Sequence, residues 1–147
     1  MRSKKRLSNT APVAMRMALA AGFLSAVADR FGLWGPVGTP GVSWGRFARF
    51  LDYTATLLPY LPTTLVAVAG WAATVAETVL GVALLAGVRV RLAALASGVL
   101  LLTFAIAMTT ALGPEAPLSY SVWTAAAGAF LLAQDRPAAC QEPPVAA

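Results

Sequence analysis

Histidine is missing from this chain of 147 residues, and cysteine occurs once, at Cys140. The first absence removes the usual axial haem ligand and the commonest transition-metal ligand, so no metal or haem centre is assigned. The second excludes an internal disulfide and a thiol–disulfide relay. Cys140 stands in a Pro/Ala-rich stretch with only Arg136 nearby to activate it, and it reads as an inert thiol. Charge is scarce as well: 12% of residues are charged, against about 25% in ordinary soluble domains. Hydrophobic residues make up 59% and the mean hydropathy is +0.72. A domain of this size has too few polar residues here to build a water-facing surface, so the composition calls for a bilayer as solvent.

The formal net charge is +5, yet the basic residues do not form a phosphate-tracking surface. Arg2, Lys4, Lys5 and Arg6 open the chain, and most others flank apolar runs. That is the distribution of topology signals, and nucleic acid is not an expected partner. Residues 1–11 read as a basic cytoplasmic leader. Four apolar segments follow, at about 12–34, 63–88, 92–112 and 118–133, inside a membrane domain of residues 12–134. Residues 135–147 read as a disordered cytoplasmic tail. The expected fold is an all-α membrane protein, a four-transmembrane-helix bundle. Counting Lys and Arg places eight on one side and three (Arg30, Arg46, Arg49) on the other, which orients both termini toward the cytoplasm. Tyr120 and Trp123 then fall where an interfacial aromatic belt belongs. A rival reading takes the first segment as a secretory signal cleaved after Ala26-Val27-Ala28; Arg16 within its apolar stretch speaks against this.

The connection between the first two segments begins with glycines 32, 35, 38 and 41 and prolines 36 and 40, which make it irregular. Trp44, Phe47, Leu51, Ala55 and Leu58 then recur at helical spacing, with Arg46, Arg49 and Asp52 opposite. An extra amphipathic helix is expected here, capped by Ser43 and ended by Pro59 and Pro62, lying at the membrane interface or as a cap over the bundle. Small residues at four-residue spacing mark candidate packing faces: Ala18, Gly22 and Ala26; Ala73 and Gly81; Ala94 and Gly98; Ala125, Ala129 and Ala133.

Glu77 is the one charge within 63–88. As a helix that segment spans about 39 Å, so the carboxylate lies roughly 20 Å from either end, near the bilayer midplane. An ionised group there costs about 2.5–3.5 kcal/mol and needs a partner, a cavity or a proton. It shares a face with Ala73 and Gly81 and therefore points into the bundle. Two roles follow: a proton- or ligand-binding carboxylate, or an interhelical latch. Its cationic partner would be Arg16, near the start of the first segment, or Arg30, near its end beside Asp29. Arg16, Asp29 and Arg30 read otherwise as interfacial anchors.

Arg16, Gly22-Phe23-Leu24 and Asp29-Arg30-Phe31-Gly32, followed by Glu77, Gly81, Leu84-Leu85, Gly87, Arg91 and Ala93-Ala94, resemble in order and spacing the DoxX family of small four-helix bacterial membrane proteins. The resemblance covers roughly residues 14–134. It implies a multi-pass protein of the bacterial inner membrane, some of whose relatives serve redox systems. Glu77 and Arg91 are the positions it carries over. The paired cysteines of redox-associated relatives are missing, so thiol chemistry is not carried over. With no complete catalytic constellation, the expected role is a non-catalytic membrane subunit or scaffold for a soluble redox partner protein, with no cofactor evident. The alternatives are a quinone-interacting oxidoreductase subunit, with Glu77 as proton acceptor, and a small-solute transporter that would need a homo-oligomer.

Overall fold

The computed structural model describes residues 2–135, with side chains from Thr10 onward. Every regular element among them is helical: α1 (Arg2–Arg30), α2 (Phe47–Leu57), α3 (Thr63–Ala86), α4 (Val90–Leu112), α5 (Glu115–Ser119) and α6 (Val122–Gln134). Three segments are long and apolar enough to cross a membrane: Thr10–Arg30, Thr63–Ala86 and Val90–Leu112. Their outward faces stay apolar, with Val68, Val75, Val79 and Val82 of α3 and Leu92, Leu95 and Val99 of α4 all exposed. A water-soluble monomer rarely leaves such contiguous apolar surface open, whereas lipid tails cover it without cost.

Helix ends follow backbone chemistry. The first apolar segment was expected to reach residue 34, but α1 stops at Arg30. Gly32 adopts φ +74°, its N–H donates to the Asp29 carbonyl at 3.0 Å, and the Leu33 N–H donates to the Ala28 carbonyl at 3.0 Å. This paired closure is a Schellman turn, and the left-handed residue it requires is glycine. α3 closes the same way at Gly87 (φ +73°), where Val88 N–H donates to Ala83 and Gly87 N–H to Leu84. At the other end of α1, the helix already runs through the expected leader from Arg2. Ala26-Val27-Ala28 lies within the same continuous helix. The expected tail lies outside the described residues apart from Asp135.

The fourth apolar segment departs most from expectation. Residues 118–133 do not form one helix: Ser121 sits in the left-handed region (φ +57°) and separates the short α5 from α6. With 13 residues, α6 is about 20 Å long, against a hydrocarbon core of about 30 Å. α6 is thus apolar but shorter than a full span.

The core lies where α1, α3, α4 and α6 meet, built from Leu19, Ala20, Phe23, Leu84, Ala93, Ala94, Ala129, Leu132 and Ala133. The most extensive helix pairings are α4 with α6 and α1 with α3. Gly98 lets α4 approach α6: a Cβ there would stand 2.7 Å from the Phe130 ring. Gly81 does the same for α3 and α1, where a Cβ would meet Leu24 Cγ at 3.0 Å. The small-residue faces expected on α3, α4 and α6 do turn inward, but the one expected on α1 does not. Ala18 and Gly22 are exposed and Gly22 faces open space, because α1 supplies the bulky partners, Phe23 and Leu24, to the glycine of α3.

α2 forms between α1 and α3, starting later than expected. Its N-terminal flanking residue is Arg46, with no side-chain cap; Ser43 is engaged elsewhere, as described below. Phe50 and Thr54 form its buried side, and a Cβ on Gly70 of α3 would collide with Leu51 at 2.5 Å. α2 is thus packed directly on α3.

Candidate functional site: a buried arginine–glutamate network

Asp29 and Arg30 are consecutive on the last turn of α1, so their side chains diverge by roughly 100° around the helix axis. Both are buried, at 6% and 4% exposure. Divergence sends them to different neighbours. The Asp29 carboxylate turns to the glycine-rich connection and accepts three backbone N–H groups: Ser43 and Trp44 at 3.0 Å on Oδ2, and Gly45 at 3.3 Å on Oδ1. Gly45 lies so close under Pro36 and Val37 that a Cβ would sit 2.6 Å from the Val37 nitrogen. Charge-assisted bonds to backbone N–H groups are the strong class, and these three fix the start of α2 relative to the end of α1. Ser43, expected as an N-cap by its hydroxyl, contributes its N–H here instead.

Arg30 turns inward. Its Nη1 donates to Thr74 Oγ1 at 2.9 Å and lies 2.5 Å from Glu77 Oε2. The Thr74 hydroxyl in turn donates to the Gly70 carbonyl at 2.8 Å. Thr74 and Glu77 are three residues apart on α3, hence on one face. The Phe50 ring closes the other side, with the guanidinium carbon 3.8 Å from its centroid. This places a cation over an aromatic face in a desolvated setting, where the attraction reaches about 2 kcal/mol. Three helices therefore converge on one guanidinium: α1 supplies it, α3 the carboxylate and hydroxyl, α2 the ring.

An aromatic layer sits over this network. Phe47 packs on Trp71 at 4.3 Å between centroids and stacks with Phe31 at 5.7 Å, while Trp44 contacts Tyr53 at 4.8 Å and Phe50 at 5.6 Å. Trp34 Nε1–H donates back to the Ser25 carbonyl at 3.1 Å. These rings account for the apolar residues beyond Asp29 that the sequence presents as a continuation of the first segment.

Arg16 and Arg91 are elsewhere. The Arg16 guanidinium lies against Gly87, with Nη1 2.8 Å from the position a Cβ would take. That puts a cation at the C-terminal end of α3, where the helix dipole favours it by about 0.3–1 kcal/mol. Gly87 is ten residues from Glu77, about 15 Å along the axis, so Arg30 and not Arg16 is the partner of Glu77. Arg91 is exposed in the first turn of α4 at the same end as Arg16. Thr74 stands three residues before Glu77 and so shares its helix face, but the sequence carries no signal for Phe50, or for the use of Asp29 as an N–H acceptor.

Chemically the arrangement neutralises a carboxylate and a guanidinium against each other and covers both. Neither of the two grooves described below is lined by Glu77 or Arg30. Among the described residues no three His, Cys, Asp or Glu side chains converge as a metal site. Compared with protein-family models, curated proteins and solved structures, the chain matches none.

Proposed function

We propose that this chain is a non-catalytic membrane subunit of the DoxX type, resident in a bacterial inner membrane, that anchors a soluble redox partner protein. The observation supporting this reading is the burial of Glu77 against Arg30, whose guanidinium also donates to Thr74 and lies over the Phe50 ring. A carboxylate held this way serves as a latch between α1, α2 and α3. In the same reading, α5 and α6 together form the fourth membrane segment. The concentration of Arg and Lys at the end of the bundle carrying Arg16, Arg89 and Arg91 keeps that end, and both termini, in the cytoplasm.

The test is purification of the full chain from native membranes in mild detergent. A soluble protein recovered at fixed stoichiometry, released when the membrane chain is omitted, is the expected result. Repeated isolation of the bare chain or of a homo-oligomer without any such protein overturns the reading.

A further inference from the structure

A groove of about 580 Å³ runs between α3 and α4 on the outer face of the bundle, lined by Val79 and Leu80 of α3 and by Leu92, Leu95, Ala96 and Val99 of α4, among others. It ends at Thr103, so its α4 side is about 17 Å long. Half of a hydrocarbon core about 30 Å thick is close to that length, so the groove has the depth of a single leaflet. Its wall residues repeat every three to four positions along α4. Continued one turn back, the row through Val99 and Leu95 reaches Arg91, and Arg89 flanks α4 just before its first residue. Both arginines are exposed. A leaflet-deep apolar groove therefore has Arg91 in line with its α4 wall and Arg89 in the adjoining turn.

We propose that this groove seats one acyl chain of an anionic phospholipid whose phosphate is held by Arg89 and Arg91. Charge complementarity selects the occupant. Asp135, the acidic residue described at this end, lines a separate groove with Ala11, Pro12 and Met15. Arg16 adds a third cation on the α3 side of the same turn, against Gly87. A second copy seated on this face by a two-fold axis along the membrane normal would bring Arg89 and Arg91 against their own counterparts, which like charge opposes. The inference rests on membrane residence, which alkaline extraction reads separately, and not on the subunit role proposed above.

The test is native mass spectrometry of the detergent-purified full chain titrated with phosphatidylglycerol or phosphatidylcholine. Wild-type protein is expected to retain one phosphatidylglycerol with a preference over phosphatidylcholine of about tenfold or more, the scale two interfacial arginines supply. Arg89→Gln/Arg91→Gln should abolish the preference. Ala96→Phe should abolish retention of either lipid, and Ala127→Phe, on the exposed side of α6, should leave both unchanged. Where Ala96→Phe fails to fold by circular dichroism, Val99→Trp fills the groove from an exposed position. Equal retention of the two lipids overturns the proposal. Preference lost in the arginine variant but kept when the groove is filled also overturns it, leaving surface attraction alone. A dimer that the groove-filling variants dissolve assigns the face to a second copy.

Discussion

A guanidinium and a carboxylate buried together are stabilising only while both are present, because each alone is an uncompensated charge in a low-dielectric interior. Arg30→Met or Glu77→Leu alone should therefore destabilise the protein by about 3–5 kcal/mol. The double variant should recover much of that loss, since two apolar side chains then meet in an apolar bundle. Thermal unfolding in one detergent, analysed as a double-mutant cycle, measures the coupling; two single effects that simply add would show the pair to be uncoupled. Asp29→Ala acts differently. It strips the acceptor from Ser43, Trp44 and Gly45, removing part-buried hydrogen bonds to a charged group, a class worth about 1.5–3 kcal/mol. Faster hydrogen exchange and proteolysis confined to 31–46 are the expected readout, with α3 and α4 unchanged. At this scale Glu77 was legible as an anomaly from its apolar surroundings. Its choice of Arg30 over Arg16 was not, because it depends on α1 ending at Gly32 and on the Phe50 ring arriving from α2, neither of which is a local property of Glu77.

At the scale of elements, close approach depends on which helix supplies the glycine. Gly98→Val and Gly81→Val place new carbons against Phe130 and Leu24, and overpacking of this kind costs about 1–3 kcal/mol. Gly22→Ala meets nothing within 4 Å and should be neutral or slightly stabilising through helix propensity. Helical melting followed by circular dichroism compares the three; a loss at Gly22 equal to that at Gly98 would mean that α1 packs through the face found open here. Apolar length made α3 and α4 readable nearly to their ends, but it carried the first segment four residues past Arg30, where the turn at Gly32 closes α1. Periodicity did not separate a packing stripe from an equally small-residue stripe facing outward, which is why Ala18 and Gly22 misled. Nor did the sequence reveal the break at Ser121. A left-handed serine is a conformation imposed by tertiary surroundings rather than a local preference.

For the whole molecule, the number of crossings is the open arithmetic. Three helices have the length and apolarity to span, and α6 adds an apolar 13 residues. If α5 and α6 together complete a fourth crossing, reporters fused to the two termini will show the same side of the membrane. Reporters on opposite sides would mean that α6 stays within one leaflet and the chain crosses three times. Composition alone announced the solvent, since so few charges cannot coat a water-facing surface. The count of crossings escaped composition because α6 is as apolar as the spans and differs from them only in length.

The buried ion pair also bears on how the chain reaches its membrane. Arg30 leaves the ribosome 47 residues ahead of Glu77, a lead of several seconds at about 5–20 residues per second. During that interval the arginine is at the last turn of α1, where a long cationic side chain can remain among headgroups and water. Glu77 has no such refuge, since it lies in the middle of the helix that carries it. The partner for the expensive charge is thus synthesised before the helix that carries that charge. In a chain inserted as it is made, that order gives the later helix, and not the earlier one, a counter-charge to meet.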